Sequence, residues 1–429
     1  MRFNLFKNTF LLLVFTIYSC GSQTKNESVS KDQKTSASQN EKQNHISSTS
    51  ASTRDNKKLE VAANRTAQYL SLIKGKRIGI VANQTSVIEK REKIEEKSVF
   101  VHLVDSLISL KINVAKVFAP EHGFRGKADA GELVSDGVDI KTGLPIVSLH
   151  GKNKKPTQKQ LADLDLIIFD IQDVGVRFYT YISTLHYVME ACAEMDIPLI
   201  ILDRPNPNGH YVDGPTLKIE HQSFLGMHPI PLVHGMTIGE YAQMINGENW
   251  LKNDLQCAIT IIPIKNYTHL TPYSLTIRPS PNLPNDQSIK LYPSLGLFEG
   301  TNVNTGRGTE FQFQRYGAPF LNPETMTFTY TPKPNFGAKH PKHKNELCYG
   351  EDLSTETIDG MTLEWIIKAY ENATDKSLFF QTDGFTKHAG NTTLQKQIEQ
   401  GYTYKKVKAT WLKDLEAFKK TRIKYLLYE

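Results

Sequence analysis

With 429 residues, 39% apolar and 22% charged, the chain is long enough for two or three domains and has the make-up of an ordinary globular protein. Its net charge of +6 sits mostly at the start: through Lys58, nine Lys or Arg stand against four Asp or Glu, leaving +1 for everything after. A folded part so near neutral argues against a nucleic-acid binder, which would normally show a basic patch or stripe.

Arg2 and Lys7 precede the apolar run Phe10–Tyr18, which is too short to span a bilayer and reads as a secretory signal. Ile17-Tyr18-Ser19-Cys20 has the form of a bacterial lipobox, so residues 1–20 are expected to be a lipoprotein signal peptide and Cys20 the lipidated residue. The expected location is periplasmic and lipid-anchored. No acidic residue stands just behind Cys20, which favours the outer over the inner membrane. Residues 21–58 are rich in Ser, Thr, Lys, Asn and Gln and read as a disordered tether. Cys192, Cys257 and Cys348 remain, at spacings that fit no metal pattern, and no metal or cofactor is expected.

From Leu59 apolar runs alternate with helical patterns. Strands are expected at Arg77–Ala82, Val114–Ala119, Pro145–Leu149, Leu166–Asp170, Leu199–Asp203 and Ala258–Ile264. Helices are expected at Val99–Leu110, Leu185–Met195 and Ile238–Ile245, with a short one closing at Leu161–Leu164. That alternation is the signature of a parallel sheet wrapped by helices on both faces, an α/β fold. No G-x-G-x-x-G follows the first strand, so a dinucleotide site is poorly supported. After Asn266 Pro-rich loops, short strands and two late helices (Leu363–Tyr370 and Leu412–Lys420) suggest a smaller α+β domain. The domains are therefore read as 59–265 and 266–429.

The strand ends carry unusual polar sequences. Pro120-Glu121-His122-Gly123 follows one strand, Asp170-Ile171-Gln172-Asp173 with Arg177 and Tyr179 another, and Asp203-Arg204-Pro205-Asn206 a third. The carboxyl ends of parallel strands share one edge, where such folds bind ligands. The second domain adds Asn282, Glu299 and Arg307, the last between two glycines. Carboxyl groups without a Ser or Cys elbow and without H-E-x-x-H suit general acid–base hydrolysis, notably of a glycosidic bond. Arginines suit an anionic group on the substrate, and Phe178, Tyr179 and Tyr181 could stack on a sugar ring. Two other readings use the same residues: a lipid-anchored cell-wall sugar-binding protein without turnover, and a metal-dependent hydrolase or esterase drawing on His122, His150, Asp170 and Asp173.

Ala119–Gly126, Phe169–Tyr181, Leu202–Gly209, Val233–Tyr241 and Pro279–Pro319 resemble, in this order, signature blocks of the exo-β-N-acetylmuramidase (NamZ-like) family, formerly a domain of unknown function. The resemblance covers about residues 60–429. It implies a Rossmann-like domain plus a smaller C-terminal domain with the active site between them. It also implies release of N-acetylmuramic acid from the non-reducing end of peptidoglycan fragments, in cell-wall turnover and recycling. Carried over, Glu121 becomes the catalytic acid, its pKa expected to be raised by partial burial, and His122, Asp170, Asp173, Arg177, Asn206 and Arg307 become cleft residues. Arg204, Tyr179, Asn282 and Glu299 complete the substrate-binding candidates. Asn304-Thr305 stands where the family more often has Ser-Glu, which leaves Arg307 in place. The lactyl carboxylate of N-acetylmuramic acid would explain the need for arginine, with Arg177 or Arg307 as its partner.

Overall fold

The computed structural model describes residues 58–91, 98–126, 132 and 135–429. The expected signal peptide with Cys20 and the expected tether as far as residue 57 lie outside the described residues. The described residues form one compact unit.

In the first half the order is α1 (Thr66–Ile73), β1 (Arg77–Ala82), β2 (Val87–Arg91), β3 (Ser98–His102), α2 (Leu103–Ser109), β4 (Asn113–Ala119), β5 (Gly137–Val138) and β6 (Pro145–Ser148). There follow α3 (Gln158–Leu161), β7 (Leu166–Asp170), α4 (Tyr181–Glu194), β8 (Leu199–Leu202), α5 (Ile238–Gly247) and β9 (Ile259–Ile262). The main sheet runs β5-β6-β4-β1-β7-β8-β9. Counting the six parallel strands in chain order, this is 3-2-1-4-5-6, the doubly wound order, with β5 added antiparallel at one edge. Side chains alternate between its faces as strand geometry requires. On β7, Leu166 and Ile168 join Tyr69, Ile73 and Leu107 of α1 and α2, while Ile167 and Phe169 join Leu185 and Tyr241 of α4 and α5. Gly79 in β1 is needed for that packing, since a Cβ there would lie 2.8–2.9 Å from Ile167, Leu164 and Phe118 side chains.

The expected helix Val99–Leu110 is two elements. Val99 and Val101 belong to β3, which pairs with β2 as a hairpin, and the helix begins only after His102, whose Nδ1 accepts from Val104 N–H at 3.2 Å. No Gly or Pro interrupts Val99–Leu110, so sequence alone merged a β-branched strand with the helix behind it. That hairpin stands where a dinucleotide fold places a helix N-terminus. The turn Asn83–Ser86 is closed by its own side chains, Asn83 Oδ1 accepting from Thr85 N–H at 2.9 Å.

The second half carries α6 (Asp286–Leu295), β10 (Arg315–Ala318), β11 (Phe328–Tyr330), β12 (Cys348–Asp352) and α7 (Glu364–Glu371). It ends with α8 (Thr382–Ala389), α9 (Thr393–Glu399), α10 (Tyr404–Ala409) and α11 (Leu412–Arg422). The two late helices expected from sequence are α7 and α11, and the region is richer in helix than expected. Its short strands form an antiparallel sheet in the order β10-β12-β11. Leu291, Phe298, Phe385 and Phe418 join the same apolar cluster as α4 and α5, so the smaller C-terminal region seals against one face of the main sheet. Cys192, Cys257 and Cys348 are buried free thiols, as small apolar fillers.

Candidate active site

A cleft of about 730 Å3 opens beside the carboxyl ends of β4 and β7. Glu121 and His122 reach it from the turn after β4, Tyr179 and Thr180 from the loop after β7, and Tyr292, Glu299 and Arg307 from the C-terminal region. The β4 turn is tight: Gly123 N–H bonds Pro120 C=O at 3.0 Å, and His122 at its third position takes φ +69°. A left-handed conformation at a non-glycine residue costs roughly 1–2 kcal/mol, and such strain collects at functional sites. The turn leaves Glu121 half-buried on the cleft wall, where Thr180 Oγ1 donates to its Oε2 at 3.0 Å.

Glu299 and Arg307 form a fork: Nε and Nη2 of Arg307 donate to the two carboxylate oxygens at 3.2 and 3.0 Å. Desolvation alone would raise the Glu299 pKa, but the charges of Arg307 and Lys342 outweigh it and hold the carboxyl at about 2. Glu299 is thus a fixed negative charge in the cleft. The Lys342 ammonium is spent on the carbonyls of Phe298, Glu299 and Thr301 at 3.2, 3.2 and 2.5 Å. Arg307 keeps Nη1 without a hydrogen bond among the described residues.

Sequence reasoning missed Tyr292. Its ring is held edge-on by Phe178, Tyr179 and Phe313 at centroid distances of 5.3, 5.9 and 4.9 Å. Burial raises its pKa well above the phenol range, so it stays a neutral donor. The signal was available: Asn285 and Ser288 form a capping box that opens α6, but Pro293 inside that helix made the stretch read as a loop.

Of the expected site residues, Glu121, His122, Tyr179, Glu299 and Arg307 line the cleft, and Asp170, Asp173, Arg177, Arg204, Asn206 and Asn282 do not. Each of the latter has a structural assignment. Asp170, fully buried, pairs with Arg204 through Nε and Nη2 at 2.6 and 2.9 Å. Arg177 is also fully buried and carries no carboxylate. Its guanidinium donates to the carbonyls of Pro215, Ile230, His388 and Ala389 at 2.7–3.0 Å, and desolvation pulls its pKa down to about 9. It therefore fastens the β7 loop to the end of α8 and cannot read a substrate carboxylate. Asn206 bonds Met236 C=O at 2.9 Å, and Asn282 holds Gly337 C=O at 2.7 Å behind the cleft wall. Tyr179 borders the cleft, yet its hydroxyl is spent on Pro279 C=O at 2.8 Å. Tyr181, expected to stack on sugar, is 2% exposed and belongs to the core, and Phe178, though on the cleft lining, is 3% exposed and packs edge-on against Tyr292. Among the described residues no three His, Cys, Asp or Glu come together as a metal site.

Asp173 is 4% exposed, with Oδ2 accepting from Gly175 N–H at 2.7 Å and His234 Nε2 3.8 Å away. Burial lifts its pKa from 3.8 to about 7, while burial lowers His234 to about 3. Over this range His234, lowered from 6.5, contributes a slope of the opposite sign. Asp173 by itself binds a proton in the folded state and not in the unfolded one between about pH 4 and 7, so its contribution to stability falls as pH rises through that window. Asp173→Asn should remove this slope, so denaturant melts should show the variant gaining on the parent from pH 4 to 8. Parallel stability curves would show that Asp173 is ionised in the fold.

Family models described as Exo-beta-N-acetylmuramidase NamZ, N-terminal and C-terminal, match residues 78–287 and 290–428. The Peptidoglycan beta-N-acetylmuramidase NamZ of Bacillus subtilis (strain 168) is 40% identical over 380 residues, 84% of this chain and 89% of that protein. A crystal structure of a DUF1343 family protein from Bacteroides fragilis superposes with TM-score 0.77 at 44% identity, covering 87% of this chain and 99% of the other. A second such protein from the same organism gives TM-score 0.71 at 26% identity over 86% and 99% of the two chains.

Proposed function

This chain belongs to the exo-beta-N-acetylmuramidase NamZ family, and from that premise we propose how its cleft works. The protein is a glycosidase that releases N-acetylmuramic acid from the non-reducing end of peptidoglycan fragments. Glu121 is the general acid: its proton passes to the glycosidic oxygen as the bond to C1 breaks, and water supplies the hydroxyl that C1 gains. The ionised Glu299 lies in the same cleft and stabilises the positive charge that develops on the sugar. Tyr292 contributes a neutral hydroxyl as a hydrogen-bond donor to the sugar, and Arg307 presents Nη1 to the lactyl carboxylate. The observation that carries this reading is the pairing in one cleft of Glu121, at a strained strand-end turn, with a carboxylate held ionised by arginine. Incubation with a muramyl-glucosamine disaccharide, read by product mass and anomer, tests it. Release of the two monosaccharides is expected; an intact disaccharide would leave only a sugar-binding role.

Anchoring and recycling belong to the same proposal. Supported by the apolar run and Ile17-Tyr18-Ser19-Cys20, a lipid on Cys20 would hold the enzyme to a membrane facing the periplasm, the outer one by preference. There it would meet fragments shed in wall turnover. Cys20→Ser should abolish fatty-acid labelling and move the protein to the soluble fraction. A variant that still takes up label and still sediments with membranes would refute the anchor.

A further inference from the structure

A second cavity of about 620 Å3 lies on the same carboxyl edge, bordered by Thr85 after β1, Gln172 after β7 and Arg204 after β8. β1 and β7 flank the place where the strand order reverses, the position at which open α/β sheets receive ligands, and β8 lies next beyond β7. Its volume is within the range of small-molecule sites, about 300–1,000 Å3. None of the catalytic groups borders it. The segment Tyr273–Ile277 forms one wall, and the chain reaches the cleft lining three residues later at Ser280, so one strap divides the two spaces.

Three side chains on this cavity keep hydrogen-bonding atoms unspent. Arg204 is 4% exposed and uses Nε and Nη2 on Asp170 and on Val87 C=O, leaving Nη1 without a partner among the described residues. Gln172 is 3% exposed and donates through Nε2 to Asp173 and Pro205 carbonyls at 2.8 and 2.6 Å, but its Oε1 accepts nothing there. The hydroxyl of Tyr273 is likewise unengaged, with burial raising its pKa. Arg204 and Gln172 are held rigidly by their other bonds, so a donor and an acceptor that face the cavity unspent from two nearly buried side chains are preorganised for a ligand that supplies the complement. Charge narrows the choice. Arg204 is matched by Asp170 at 2.6 Å and Lys58 by Glu89 at 2.5 Å, so the cavity favours a neutral ligand over an anion. A secondary amide offers a carbonyl to Arg204 and an N–H to Gln172. Phe100, 38% exposed, and Tyr273 offer ring faces, with Leu275 and Ile277 beside them.

We propose that this cavity is a non-catalytic site for a neutral N-acetylated sugar, an N-acetylglucosaminyl unit, held beside the cleft across the Tyr273–Ile277 strap. The choice of a sugar amide over other amides rests on the muramidase reading. The unit would come from a glycan chain or from the sugar that hydrolysis sets free.

The test is calorimetric titration of the full chain with N,N′-diacetylchitobiose, which lacks a lactyl carboxylate. Binding should persist within twofold in Arg307→Ala and weaken at least fivefold in Phe100→Ala and Tyr273→Phe, the latter removing one hydroxyl from a side chain of unchanged shape. Cellobiose, without acetamido groups, should bind at least tenfold more weakly. Tighter binding of N,N′-diacetylchitobiose than of free N-acetylglucosamine would identify a glycan chain as the source; equal affinity would identify the released sugar. The proposal is overturned if cellobiose binds as well, or if Arg307→Ala abolishes binding while the cavity variants keep it. No binding, in a preparation that still releases N-acetylmuramic acid, overturns the cavity site and leaves the hydrolase reading intact.

Discussion

Glu121→Gln should lower kcat on the natural disaccharide by roughly 10²–10⁴ while the fold is retained. At about 1.4 kcal/mol per decade this is about 3–5 kcal/mol of lost transition-state stabilisation. The amide keeps the size of the side chain and can still meet Thr180, whose Oγ1 lies 3.0 Å from Oε2, so the turn should survive. What the amide lacks is the proton that the departing oxygen requires. The loss should therefore shrink on aryl muramides with acidic leaving groups, which depart with little protonation. A rate near the parent's on the disaccharide would make Glu121 structural and pass the role to Glu132, the other carboxyl on the cleft besides the ionised Glu299. An equal loss on both substrates would instead mark Glu121 as a base, nucleophile or orienting group.

Arg307→Ala should narrow the preference for muramides over N-acetylglucosaminides by about 10- to 150-fold, the equivalent of a charge-assisted hydrogen bond of about 1.5–3 kcal/mol. N-Acetylglucosaminides lack the lactyl carboxylate, so their kcat/KM measures everything else the substitution does. That control matters here because Arg307 also holds Glu299 ionised, with the carboxyl at about 2. Loss of that charge should depress both substrates alike, while loss of the carboxylate contact should fall on muramides alone. Arg307→Lys keeps a cation but not the planar fork, and should recover part of the shared loss. An unchanged ratio of the two kcat/KM values would remove Arg307 from recognition of the lactyl group. Arg177→Ala belongs to a different class. With four interior carbonyls losing the guanidinium, of which only Ile230 and Ala389 keep another donor among the described residues (Leu217 N–H and Asn391 Nδ2), it should lower the melting temperature and leave the ratio alone.

The sequence by itself determined the sheet and the strand ends. Leu166–Asp170 is β7 residue for residue, and Arg77–Ala82 is β1, because short apolar runs between turn residues have few other ways to be buried. It also placed Glu121 at a strand tip, since Pro120 ends β4 and Gly123 permits the turn behind it. The family blocks were legible for the same reason, as each is a contiguous stretch.

Only the tertiary structure decided which polar residues at those tips serve the cleft. Asp170 and Arg204 are 34 positions apart and read as two ligands for a substrate, but the adjacency of β7 and β8 makes them ligands for each other. Arg177 looked like an anion site because sequence does not show the carbonyls of His388 and Ala389, more than 200 residues away, that surround it. Tyr292 stayed hidden because its place in the cleft depends on α6 packing against Phe178 and Tyr179. A buried charge must find a partner, and a residue's type states only that need. Whether the partner is substrate or protein is fixed by contacts between segments remote in the chain.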